Sequence, residues 1–203
     1  MEKKDLKKLS DPSFHKSLGI ELNWRIGDKV GNGIFAIYPY YTADQCREIL
    51  DAAVGPENWY NEFREVNNIL FCTIGIKIDG DFIEKADAGG PRHARKKNLT
   101  DEDEETFRAK TAASSAFVRA AEAWGIGRHK DLIPEVALKV QNGMAINPQN
   151  GKAMNTEELC AYCNQITLPV GYLYAIYRQR KDLFDKNQEA MELMKRMKEL
   201  LSE

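Results

Sequence analysis

The chain has 203 residues, 43% of them hydrophobic and 30% charged, with a formal net charge of -2. That length allows one domain with an appendage or two small ones, and a core that needs neither disulfide nor metal. Near-neutral charge excludes a protein that coats nucleic acid by bulk charge and leaves room only for a local cationic groove.

Charge is segregated along the chain. Tyr41 to Glu65 is acidic, Lys85 to Lys97 is basic, and Arg108 to Lys152 leans basic again. The N-terminal "MEKKDLKKLS" lacks the apolar core of a signal peptide, and no apolar run approaches membrane-spanning length, so a cytoplasmic protein without membrane contact is expected. Four cysteines then read as reduced thiols, and Cys160 and Cys163 as helix-face residues, because a lone CxxC falls short of the four ligands of a structural zinc. No cofactor is implied.

In chain order, "KKDLKKLSDPSFHK" reads as a short helical or loose lead-in. "IELNWRI" and "GIFAIYPYY" read as strands around a glycine-rich connection, "GDKVGNG". "TADQCREILDAAVG" is a helix with Thr42 as its N-cap, stopped at Gly55 before Pro56. "NILFCTIGIKI" and "DFIEKAD" are strands joined at Asp79-Gly80, a pair suited to a turn with positive φ at both central residues. "AGGPRHARKKN" reads as a mobile basic loop.

The central helix starts after Thr100, with five carboxylates from Asp101 to Glu105 at its positive end, and should stop at Gly125. Its apolar side is expected along Phe107, Ser114, Phe117, Ala121 and Trp124. "EVALKV", "GMAIN" and "GKAMN" are short strands with Asn-Gly turns, and "TEELCAYCNQI" is a short helix. A last helix is expected from Pro169 to the end, with Leu183, Asn187, Ala190, Met194, Met197 and Leu201 along one seam.

Three of these pieces, "YYTADQCREILDAAVGPENW", "CTIGIKIDGDFIEKAD" and "ASSAFVRAAEAWGIGRHKDLIP", together with "WRI" upstream, resemble the Rad-fifty-two/Sak-type single-strand annealing proteins. The match keeps its order from about Trp24 to Pro134. The resemblance implies an α+β fold, an antiparallel β-meander packed against a long central helix, with an annealing core over 1–152 and a helical C-terminal extension over 153–203. It also implies a homo-oligomeric ring or arc and ATP-independent annealing of single-stranded DNA during recombination, in a bacterial host or phage-infected cell. A single-strand-binding protein is a candidate partner.

The DNA backbone would lie in a groove between meander and central helix. The residues assigned to it are Arg25, Arg47, Arg108, Lys110, Arg119, Arg128 and Lys130, with Arg92, Arg95, Lys96 and Lys97 as an accessory site. Single-strand binders combine cations with aromatic faces, and Trp24, Phe35, Tyr38, Tyr40 and Tyr41 are the aromatic candidates; core packing is their alternative role. Half-buried beside apolar neighbours, Arg119 needs a partner anion. The chain departs from the family pattern at Val118 and Glu122, where relatives carry cations. It departs again at Asp44 or Gln45, for which Arg47 is the nearest substitute, so the implied groove is less cationic.

Two alternatives remain. One is an interaction scaffold with a degenerate groove. The other is a metal-dependent nuclease using Asp79, Asp81, Glu84 and Asp87, although Asp79-Gly80-Asp81 is explained as a turn. No nucleotide-binding or zinc-protease motif stands in the chain.

Overall fold

The computed structural model describes residues 6–90, 100–133 and 135–179. The loop bearing Arg92, Arg95, Lys96 and Lys97, and the seam from Leu183 to Leu201, lie outside the described residues.

The fold is α+β with antiparallel sheets. In chain order the elements are α1 (Pro12–Ser17), β1 (Asn23–Gly31), β2 (Ile34–Tyr40), α2 (Ala43–Val54), β3 (Trp59–Val66), β4 (Ile69–Ile78) and β5 (Asp81–Gly89). Then come α3 (Asp101–Ala123), β6 (Val136–Gln141), β7 (Met144–Ile146), β8 (Ala153–Met154) and α4 (Thr156–Gln179). They divide into two compact units, one from Met1–Leu18 and Tyr41–Gly127, the other from Gly19–Tyr40 and Arg128–Glu203. Among the described residues no helix is long and apolar enough to cross a membrane.

In the first unit, β3, β4 and β5 form a three-stranded meander against which α3 packs. Thr42 caps α2 as expected: its hydroxyl accepts from the Gln45 amide at 3.2 Å, while Gln45 Oε1 accepts from the Thr42 amide at 2.9 Å. The end of α2 explains "GPENW" residue by residue. Gly55 takes φ +86°, Pro56 opens a 3-10 turn, the Asn58 amide donates to the Val54 carbonyl at 2.9 Å, and the Trp59 indole donates to Asp51 at 2.7 Å.

Both meander turns put two residues at positive φ, Asn67-Asn68 at 52° and 60° and Asp79-Gly80 at 52° and 102°. The second is the expected one. The first belongs to β3, which the residue patterns do not announce, because its helix-facing positions Trp59, Asn61, Phe63 and Glu65 are half polar. Asparagine tolerates the left-handed region, and an Asn-Asn pair was the available signal.

The expected apolar side of α3 is corrected. Phe117 and Ala121 are buried, but Phe107 is 37% exposed and Ser114 lies in solvent; the rest of the buried face is Ala112, Ala116 and Ala120. The cause is close approach. Gly89 of β5 lies so near α3 that a Cβ there would overlap the Ala116 amide nitrogen and crowd the Ala112 carbonyl, so only small side chains fit between.

The "WGIG" stretch ends α3. The Gly125 amide bonds the Glu122 carbonyl at 2.9 Å and the Ile126 amide bonds the Ala121 carbonyl at 3.1 Å, with Gly125 at φ +109° and Ile126 buried. This pairing satisfies two otherwise orphaned carbonyls. Gly127 then passes the Tyr41 ring at a spacing that leaves no room for a side chain.

In the second unit a five-stranded sheet runs in the order β1-β2-β6-β7-β8. Strand β1 extends through "GDKVG", expected to be connection, with register shifts after Ile26 and after Lys29; the turn itself is only Asn32-Gly33. The Asn142-Gly143 turn forms as expected, at φ 51° and 78°. Trp24 is 1% exposed and held by α4: its indole donates to Asn164 Oδ1 at 2.6 Å and its amide to Cys160 Sγ at 3.3 Å. Cys160 and Cys163 are free thiols on α4, and burial pushes the Cys163 thiol up to about 12. Where two helices meeting at Pro169 were expected, α4 runs unbroken from Thr156 to Gln179. An internal proline removes one backbone hydrogen bond and crowds the preceding turn; here it does not end the helix.

Candidate nucleic-acid interface

The side of α3 along β5 is a seam with a two-residue beat. Alternate residues of a strand share a face, so Gly89, Asp87 and Lys85 of β5 all turn toward the helix, across from Leu70, Cys72 and Ile74 of β4. Each meets α3 about one turn further along. Gly89 abuts Ala112 and Ala116, Asp87 Oδ1 lies 3.3 Å from Arg119 Nε, and Lys85 Nζ donates to the Ala123 carbonyl at 2.9 Å. The Lys85 ammonium also stands 4.4 Å from the centre of the Trp124 ring, and that indole donates to the Ile74 carbonyl at 2.9 Å. A cation at the last carbonyls of a helix complements its dipole.

Arg119, expected to be half-buried, is exposed, so Asp87 is an anion beside it and not one that burial requires. The ion pair is open to water, with the Arg119 side chain 56% exposed and that of Asp87 36%. Arg108 is exposed on the same side of α3, about three turns earlier and ~16 Å along the axis. Lys110 is exposed too but, 200° round a regular helix from Arg108, lies on another side.

Arg47 is different. Its guanidinium pairs with Asp44 at 2.7 Å and sits 4.6 Å from the centre of the buried Phe117 ring. Its role in this geometry is packing on α3, which the sequence offers no sign of beyond an i, i+3 ion pair.

Arg25, Arg128 and Lys130 belong to the second unit. Arg128 and Lys130 stand in a 3-10 turn, Arg128–Leu132, with Arg128 exposed and Lys130 half-buried. Arg25 is exposed on β1, in register with Tyr38 and 5.7 Å from the centre of the Tyr40 ring. The Tyr38 ring lies against Gly27, where any side chain would collide with it, and its hydroxyl reaches Asp28 at 3.4 Å. Partial burial first, then the Asp28 and Glu135 charges, push that hydroxyl above its ordinary range. Of the other aromatic candidates, Trp24 and Tyr41 are core and Phe35 is half-buried.

The four carboxylates of the nuclease alternative do not converge. Asp79 is in the turn, Asp81 opens β5 opposite Ile78, Glu84 accepts from the Tyr60 hydroxyl on the meander face away from α3, and Asp87 meets Arg119 on the other face. Among the described residues no three His, Cys, Asp or Glu side chains gather as metal ligands.

Lys85 and Trp124 are seam residues not singled out as site candidates in the sequence, and Asp87 was weighed there only as a nuclease carboxylate. The parity of β5 was the available signal, since one strand face carries Lys85, Asp87 and Gly89 together. No family model, curated protein or solved structure matches the chain.

Proposed function

We propose that the chain binds single-stranded DNA along the α3–β5 seam and anneals complementary strands without ATP, working as a homo-oligomer of Rad-fifty-two/Sak type. Its substrate would be the strand alone or the strand handed over by a single-strand-binding protein. The carrying observation is Arg119: a water-exposed guanidinium on the β5 side of the central helix, held by one exposed ion pair. A phosphate can replace such a partner, because exposed ion pairs contribute little. Arg108 on the same side of α3 adds a second cation at a spacing of a few nucleotides. Arg25 with Tyr38 and Tyr40 offers, in the second unit, the cation-plus-ring composition that single strands favour.

Fluorescence anisotropy with a labelled oligothymidylate, at two salt concentrations, tests this reading. Binding should weaken steeply with salt, and Arg119→Ala should weaken it further and lower the salt slope by about one unit. Normal binding by Arg119→Ala would remove the seam from the interface.

The scaffold reading is favoured by one observation, the commitment of Arg47 to Asp44 and Phe117, which takes a cation out of the expected groove. A folded protein that ignores the oligonucleotide at low salt would establish it.

A further inference from the structure

We infer that Asp87 is a built-in competitor for the phosphate at Arg119, an internal anion that sets how readily the seam accepts a strand. This inference rests on the reading of the seam as a nucleic-acid interface and specifies its regulation.

Three features carry it. First, the carboxylate is fixed by its own strand: Asp87 Oδ1 accepts from the Ala88 amide at 2.7 Å as well as facing Arg119 Nε at 3.3 Å. It therefore stays beside the guanidinium when another anion arrives. Second, the contact runs through Nε to one oxygen at a generous distance, not through the two parallel bonds that make an arginine–carboxylate pair strong. Third, pair and solvent are in contact, so a phosphate can approach from water. Asp87 then opposes binding twice, by occupying Arg119 beforehand and by repelling the phosphate afterwards. Nothing in the packing of the seam requires the charge. A neutral hydrogen-bond acceptor at position 87 would still satisfy Ala88.

The test is Asp87→Asn in the full chain, which keeps an oxygen for the Ala88 amide and removes the charge. Oligothymidylate affinity at moderate salt should rise about two- to fivefold, the range set by a weak exposed ion pair. The plot of log affinity against log salt should steepen by up to about 0.7, the increment for one contact to a single strand. Asp81→Asn, which removes the same charge from the same strand without touching Arg119, should give a smaller gain. In an Arg119→Gln background the gain from Asp87→Asn should fall to that of Asp81→Asn. Should a thermal melt show Asp87→Asn unfolded, Asp87→Ser serves, since its hydroxyl can also accept from Ala88.

The competitor role is overturned if Asp87→Asn binds no tighter than Asp81→Asn, or if its full gain survives in Arg119→Gln. If the wild type binds and Arg119→Gln weakens it while Asp87→Asn changes nothing, only this inference falls. If neither the wild type nor Asp87→Asn binds, the interface reading falls and takes the competitor with it.

Discussion

His15 is wholly enclosed, with Nε2 at 3.2 Å from the Leu9 carbonyl and Nδ1 at 3.1 Å from the Tyr41 hydroxyl. A carbonyl can only accept, so the neutral ring carries its proton on Nε2 and takes the tyrosine's hydrogen bond at Nδ1. Burial pushes the imidazole down to about 4, against small upward pulls from the Leu9 carbonyl and Asp11. The unfolded chain then binds a proton more readily than the folded one between pH 6.5 and about 4. Stability contributed by the neutral ring is complete above pH 6.5 and is lost as pH falls through that window, by about 3 kcal/mol. Urea melts at pH 7 and pH 4.5 should show the drop, and His15→Gln should flatten it. Equal slopes for both proteins would place the titration elsewhere. Arg47 gives a second residue-scale expectation. Arg47→Ala should cost about 1 kcal/mol through the lost ring contact, while leaving the salt slope of oligonucleotide binding unchanged. A reduced slope with normal stability would return Arg47 to the interface.

At the scale of elements, the contact between β5 and α3 depends on an absent side chain. Gly89→Ala should destabilise the protein by at least about 2 kcal/mol, because its Cβ meets backbone that cannot step aside. Gly90→Ala, next door and facing open space, should stay within about 0.5 kcal/mol. Denaturant midpoints of the pair measure this directly, and similar values would mean that α3 can lift from the sheet. The same contact shows where sequence reading stops. Caps and turns are local chemistry, so Thr42, Gly55, Asp79-Gly80, Thr100 and Gly125 were legible from a few neighbours each. The buried face of α3 was not, because large apolar residues are the usual mark of a core and this helix packs through alanines. Nor was the partner of Arg119, because which anion stands beside it depends on how β5 lies along the helix. Pro169 misled for the opposite reason, a strong local rule overridden where the helix continues.

At the scale of the molecule, the chain passes between the units three times, after Leu18, Tyr40 and Gly127. A chain ending at Lys152 is therefore an incomplete second unit and not a trimmed core, for it lacks the Asn164 and Cys160 that hold Trp24. Such a chain should show red-shifted tryptophan emission and increased binding of a hydrophobic dye. Native-like emission would mean that β1, β2, β6 and β7 enclose Trp24 unaided. The same interlacing sets a timetable at the ribosome. Every residue of the first unit has been made once Gly127 is added, whereas Trp24 must wait for Asn164, 140 positions downstream. At ordinary rates of synthesis that interval is about 7 to 28 seconds, during which the β1–β2 hairpin presents an uncovered indole. Over the last part of that interval, from Gly127 to Asn164, one unit is ready to fold while an adhesive hairpin of the other is still uncovered, the condition in which a holding chaperone has most to do.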